Sequence, residues 1–403
     1  MSGREGQWGI DDTPRHLAPG APSDHRRRWT LLVLALVCAA LLGAAALIGT
    51  EESPTPAAAG TPEPTVTEAI AATGSTTPVT VAHDETTTTR GELGSGASIT
   101  IAFAGDMNFE GVLRNRLDAD PGTAVGPFAA VLREADLAIG NLETAIAVGG
   151  TRADKQFAFR APPSAVDALR AAGFDAVSMA NNHGLDYGAD GLAESLAVKR
   201  AQADGFVIGI GGEEDEAFAP FTAVVDGQRV AVIAATQVLD SSLISAWTAT
   251  ATQAGIASAK RVDRLVEEVQ AARATSDTVV VFLHWGIEKD TCPSGDQQAL
   301  AARLVEAGAD IVVGGHAHRV QGGGRLGSAV VHYGLGNFLF KENSAPGAQT
   351  GVFEVTVTGR RIDGYRWIPG RISGSVPQPL AGDEATAAVA AWDGLRSCAG
   401  LAP

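Results

Sequence analysis

The chain has 403 residues and a formal net charge of −16, from 46 acidic and 30 basic side chains. Such an acidic balance excludes a nucleic-acid partner, which needs a basic face, and it excludes broad attraction to anionic lipid beyond one short arginine run. A polyanionic ligand would be repelled at long range and would need a local cation at its site.

Residues 1–28 are polar and end in His25-Arg26-Arg27-Arg28. Trp29 to Thr50 is an almost unbroken apolar run without charge, followed by Glu51-Glu52. At ~1.5 Å rise per residue it is long enough to cross ~30 Å of hydrocarbon. Arginines before the run place the amino end in the cytoplasm and everything after residue 50 outside. The alternative is a signal peptide cut near Ala44-Ala45-Ala46; the long leading segment favours an anchor. Cys38 falls within the run as an apolar residue. Either way the rest of the chain is expected to be extracytoplasmic.

Residues 51–96 are rich in Thr, Pro, Ala, Gly and Ser and poor in large apolar side chains. A segment of this kind cannot bury enough surface to offset its ordering entropy, so it reads as a disordered tether. Residues 97–372 read as the main domain and 373–403 as a C-terminal extension. Across the main domain strand-like runs alternate with helical ones. Strands are expected at Ser98–Ala104, Asp136–Gly140, Ala176–Met179, Phe206–Ile210, Phe221–Val225, Val230–Ala235, Asp277–Leu283 and Asp310–Val313. Helices are expected at Val125–Ala135, Pro163–Ala172, Ala189–Ala203, Ser258–Ala274 and Asp296–Ala307. Ala329–Tyr333, Gly351–Thr358 and Arg361–Ile368 follow as strands without helices between them. The alternation implies an α/β (α+β) layer fold with a mixed sheet, helices outside, and an antiparallel part or second sheet at the end.

Chemistry gathers at the ends of these strands. Of eight histidines, His183, His284, His316 and His318 follow apolar strand-like runs directly, which is where open α/β sheets place their sites. Gly314-Gly315 lets the backbone turn sharply, and two imidazoles at i and i+2 can then face one way. Any one of the four read alone is equally a histidine of the core; together they favour a metal site. Ala104-Gly105-Asp106-Met107-Asn108 opens a strand onto a carboxylate with a neutral oxygen two residues on, although Asp106 alone could equally cap the next helix. Gly140-Asn141-Leu142-Glu143 repeats the pattern, and Glu143 can bridge two cations. Asn182 and His183 are adjacent and face different ways, so Asn182 is read as a ligand and His183 as an acid or supporting group; Asp186 and Tyr187 would orient their loop. His332 is read as a strand residue, and Gly334-Leu335-Gly336-Asn337 as a loop bringing backbone near the site. The set Asp106, Asn108, Asn141, Glu143, Asn182, His284, His316 and His318 holds more donors than one cation takes. It suits two divalent ions ~3.5–4 Å apart, with Mn, Zn and Fe all compatible. Cys292 and Cys398 are the only cysteines past residue 50, an even number that pairs in an oxidising compartment or stays as two separate thiols.

Gly105-Asp106, Gly140-Asn141-Leu142-Glu143, Phe157 to Pro163, Ala172-Gly173-Phe174-Asp175, Asn181-Asn182-His183, His284-Trp285-Gly286, Gly314 to His318 and Leu335-Gly336-Asn337-Phe338 together resemble the poly-γ-glutamate capsule biosynthesis protein family (CapA type). The resemblance runs from about residue 98 to 345. That family is similar to the calcineurin-like metallophosphoesterases, which implies a four-layer αββα sandwich with a dinuclear site. It implies His183 as catalytic acid and the aspartate, asparagine and later histidines as metal residues. Asn108 stands where phosphoesterases usually have His, and Asn141 where they have the bridging Asp; Glu143 takes over the bridge. The resemblance implies a tethered factor for synthesis, export or anchoring of an anionic envelope polymer, beside membrane-bound synthase subunits, since no ATP-binding ligase motif is present. The other two readings are a metal-dependent phosphoesterase acting on an envelope metabolite, and a polymer-binding scaffold without catalysis.

Overall fold

A computed structural model describes residues 95–403. The tail 1–28, the apolar run 29–50 and nearly all of the stretch 51–96 lie outside the described residues. Among those described, no helix is long and apolar enough to cross a membrane.

Two sheets form the body. The first runs in the order Val376–Pro379, Arg361–Ser373, Gln349–Thr358, Ile99–Met107, Leu137–Leu142, Ala176–Ser178, Val207–Ile208. Its members from Ile99–Met107 to Val207–Ile208 are parallel, and those from Gln349 onward are antiparallel. Asn337–Leu339 joins beside the end of Ile99–Met107. The second sheet runs Gly323–Leu326, Ala329–His332, Ile311–His316, Thr278–Trp285, Gln228–Thr236, Phe221–Val225, parallel in the middle with an antiparallel strand at each edge. Of the three expected closing strands, Gln349–Thr358 and Arg361–Ser373 build the antiparallel part of the first sheet, while Ala329–His332 joins the second sheet parallel to Ile311–His316.

Val279-Val280-Val281-Phe282-Leu283 is apolar at every position because both of its faces are covered. Val280 and Phe282 share one core with Ile101, Phe103 and Val355 of the first sheet. The alternate residues Val279, Val281 and Leu283 pack with Leu265, Val269, Leu300 and Leu304 of the helices Val262–Thr275 and Gly295–Ala307. Helices Ser164–Ala172 and Gly188–Ala201 contribute Val166, Leu169, Leu192 and Leu196 to the first core. Each such buried side chain is worth ~1.5–3 kcal/mol.

Several boundaries differ from expectation for local reasons. The helix expected from Ser258 begins at Val262, because Ser258 and Ala259 pair with the end of Gln228–Thr236. The helix expected from Val125 begins at Ala129; Gly126 at φ 83° and Pro127 occupy the approach. Phe206–Ile210 divides into Val207–Ile208 and Ile210–Gly211 at Gly209, whose φ is 87°. Helix Val112–Ala119 and strand Gly323–Leu326 carry no clear pattern.

Residues 373–403 pack onto the rest. Val376–Pro379 extends the first sheet, and helix Gly382–Gly394 buries Trp392. Cys398 is bonded to Cys292, with Cα atoms 5.7 Å apart. Ala402 forms a two-way backbone pair with Arg325, with bonds of 2.7 and 2.9 Å, on the edge strand of the second sheet.

Candidate metal centre

The parallel strands of both sheets deliver their carboxyl ends to one place. Asp106 comes from the first, at a register shift against Leu137–Leu142, and such a shift re-aims a side chain. Its N–H donates to the Gly336 carbonyl at 2.9 Å. Its carboxylate accepts from Asn141 Nδ2 at 2.8 Å and from the His316 amide at 3.0 Å. Two glycines are required by this approach: a Cβ on Gly105 would strike the Gly336 carbonyl, and one on Gly315 would strike the Asp106 carboxylate. His316 and His318 hold φ of 86° and 51°, the left-handed region that costs a non-glycine residue of order 1–3 kcal/mol. The turn therefore stores backbone strain at the two histidines.

Glu143 is the centre of the arrangement. It has no exposed surface, and neither of its carboxylate oxygens has a hydrogen-bond partner. Facing its Oε1 are His284 Nε2 at 3.5 Å, His183 Nε2 at 3.7 Å and His318 Nε2 at 3.9 Å. A buried carboxylate left without hydrogen bonds is costly, and a cation among these donors would remove the cost. Among the described residues, two groups of donors are close enough to hold an ion, Glu143–His284–His316 and Asp106–Glu143–His318, and they share Glu143. The cluster therefore fits a metal ion by donor type and by the vacancy in its hydrogen bonding.

The remaining residues fall around it. His284 Nε2 lies 2.7 Å from Asn182 Oδ1 and 3.1 Å from His316 Nδ1. His318 Nδ1 meets Asn337 Oδ1 at 2.8 Å and Asp106 Oδ2 at 3.2 Å. Asn141 offers its amide to Asp106 and, at 3.1 Å, to His284 Nδ1, while its oxygen accepts from Asn181 Nδ2. Asn108 Oδ1 accepts from the Glu110 amide at 3.2 Å, a local turn bond. His183 Nδ1 is 2.6 Å from Asp186 Oδ2, and Phe159 stacks on the His183 ring with centroids 4.2 Å apart. His332 lies elsewhere, buried against Trp392, whose Nε1 donates to His332 Nε2 at 3.0 Å.

The charges are strongly perturbed. Burial, then the Asp106 carboxylate, raises Glu143 well above the usual carboxylate range. Burial and the neighbouring His316 hold His284 well below the ordinary imidazole value. Burial and His318 bring His316 down to about 3. Burial would lower His318 as well, but the Glu143 and Asp106 carboxylates push it up to about 9. Burial lowers His183 against the pull of Asp186. The pattern is a pair of carboxylates seeking positive charge among mostly neutral imidazoles, which are the form that ligates metal.

Sequence reasoning did not single out Lys155 or Phe340, quoted Asn181 and Phe159 only inside longer stretches without a role of their own, and read Asn337 as backbone only. Asn337 sits in a glycine-bracketed loop whose form suggested main-chain contact. Phe340 reaches His318, with ring centroids 4.8 Å apart, and meets Phe159 edge-on at 5.9 Å.

Fold and centre together define a two-sheet α/β protein with a buried carboxylate–imidazole cluster able to hold metal at its strand ends. The bacterial capsule synthesis protein family PGA_cap matches residues 100–342, and the chain belongs to that family. Relatives include the capsule biosynthesis protein CapA of Bacillus anthracis, 34% identical over 220 residues, covering 52% of each chain. The PGA biosynthesis protein CapA of Bacillus subtilis is 29% identical over 215 residues, covering 53% of this chain and 55% of its own. A probable polyglutamine synthesis accessory protein of Mycobacterium tuberculosis is 30% identical over 192 residues, covering 45% of this chain and 50% of its own. The chain thus spans about half the length of the curated relatives it matches. Among solved structures, a hypothetical protein from Thermus thermophilus aligns with 68% of this chain and 100% of its own, at TM-score 0.45 and 19% identity.

Proposed function

We propose that this is a membrane-tethered, extracytoplasmic protein acting in the synthesis, export or anchoring of poly-γ-glutamate or a related anionic envelope polymer, through a centre that holds two divalent ions. The observation that carries the reading is Glu143, buried with both oxygens unpartnered and belonging to both candidate donor groups. In this reading residues 29–50 are the anchor, with the amino end cytoplasmic and residues 51–96 as tether. The Cys292–Cys398 bridge supports an oxidising location. Family membership supports the polymer, with synthase subunits in the same membrane.

Asp106, Glu143, Asn182, His284, His316 and His318 would hold the ions, Mn, Zn or Fe, and Glu143 belongs to both donor groups. Asn141 orients Asp106 and His284 through its amide, and the Asn108 turn supports the loop. A bound divalent pair supplies a hydroxide nucleophile at neutral pH and a clamp for a developing oxyanion. His183 presents Nε2 to the cluster and moves a proton at that atom, with Asp186 behind it on Nδ1. Phe159 and Phe340 line the approach to the histidines and exclude water there.

The full chain is expected to carry about two ions by elemental analysis. Glu143→Gln, and separately His316→Ala with His318→Ala, are expected to carry fewer than about one. Full loading in both variants sinks the proposal. A second reading, hydrolysis of a phosphorylated envelope metabolite, is favoured by the placement of His183 Nε2 3.7 Å from Glu143. It resembles the metallophosphoesterase arrangement of the αββα fold. Turnover of an aryl phosphate against a γ-linked glutamate oligomer separates the two; a loaded chain turning over neither would be a binding scaffold.

A further inference from the structure

Lys155 lies between the paired strands Ala145–Ile146 and Arg160–Ala161, and the roles above leave it unassigned. Its side chain is only 11% exposed. Nζ donates to the Asn182 carbonyl at 2.6 Å, pairs with Asp186 Oδ1 at 2.8 Å, and lies 3.5 Å from His183 Nδ1. Asp240 at 3.8 Å and the Trp247 ring at 5.3 Å complete its surroundings. Asp186 is fully buried, and its other oxygen accepts from the Phe159 amide at 2.7 Å besides meeting His183 Nδ1. A carboxylate only accepts, so the His183 proton sits on Nδ1 and Nε2 is left facing Glu143.

One ammonium therefore touches both members of the Asn182–His183 pair, the first by its backbone and the second through a carboxylate. Four residues on, the same segment lays Phe159 against the His183 ring. We infer that Lys155 is the positioning residue of this pair: it supplies the counter-charge for Asp186, which fixes the His183 ring, and it pins the Asn182 backbone, which aims Oδ1 at the donors around Glu143. A buried carboxylate stripped of its cation reorganises or takes a proton, and either change releases the ring. The inference rests on the assignment of Asn182 as ligand and His183 as proton carrier.

The test uses the full chain in detergent, stripped of metal by chelator, with Mn²⁺ binding by calorimetry and ring-nitrogen spectra of ¹⁵N-labelled histidine. Lys155→Met is expected to weaken Mn²⁺ about 10- to 100-fold, the range for a partner behind a ligand. It is also expected to move the His183 signals away from a pure Nδ1–H form. Lys155→Arg, which keeps the cation, is expected to recover most of both. Should Lys155→Met fail to fold, Lys155→Gln, which removes the charge but keeps a donor and leaves Asp186 intact, is read in the same way. Wild-type Mn²⁺ affinity and a wild-type ring spectrum in the folded Met variant overturn the inference. A wild-type chain that takes up no Mn²⁺ sinks the functional proposal instead, and the ring spectra still decide the role of Lys155.

Discussion

Replacing Cys292 and Cys398 by serine is expected to lower the stability of the chain by about 4–5 kcal/mol. The bridge spans 106 residues, and cross-linking so long a loop removes that much chain entropy from the unfolded state. For a domain of this size the loss corresponds to a drop in Tm of about 10 °C. The effect should fall first on the C-terminal segment. Helix Gly382–Gly394 has Trp392 as its one buried residue, and the bridge is its covalent tie to the loop after Thr278–Trp285. Thermal melts of the double serine variant, and of the wild type with and without thiol reductant, check this. Cys292 is exposed, so reductant reaches it without unfolding. A shift of less than about 2 °C in both comparisons with the untreated wild type would mean the bridge contributes little.

Acid is expected to destabilise the protein through His332. Burial, against a smaller opposing hydrogen bond of its own backbone, brings this imidazole down to about 3 from an ordinary value of 6.5. Its neighbours Phe353, Trp367 and Trp392 carry no charge to offset the loss of water. Because the folded value is the lower one, the unfolded chain binds the extra proton, and stability falls as the pH drops below 6.5. The loss grows by about 1.4 kcal/mol per pH unit and levels off near the folded value. Between pH 7 and pH 5 this amounts to roughly 2 kcal/mol. Protonation would also cost the hydrogen bond that Trp392 Nε1 donates to Nε2. Urea unfolding at the two pH values, for wild type and His332→Phe, isolates the contribution, since all other titrating groups are common to both. Equal pH dependence in the two proteins would show that His332 is not the responsible group.

Much of this architecture is legible in the residues. The runs at 279–283 and 311–313 are apolar at every position, a pattern that only a strand covered on both faces needs. Asp106, Glu143, His284 and His316 are legible because each follows such a run where the chain leaves a sheet. Helix Gly382–Gly394 is not legible: it is rich in alanine, and a single buried tryptophan leaves no periodicity. The role of Asn141 is hidden for a different reason. Its residue type offers an oxygen or an amide, and only the neighbouring Asn181, Asp106 and His284 decide which one faces the cluster. Lys155 and Phe159 come from an irregular loop, where nothing in the spacing of side chains points towards His183.

The pairing of Ala402 with Arg325 bears on the order in which the chain can assemble. Ile99–Met107 waits for Gln349–Thr358 before its second flank is covered, and the margin at Gly323–Leu326 waits for the very last residues. If the segments after the proposed anchor crossed a membrane in chain order, both sheets would stay unfinished until the late strands emerged, and unfinished margins attract other chains. Under the extracytoplasmic location proposed above, export would therefore depend on something that shields the early strands during transit.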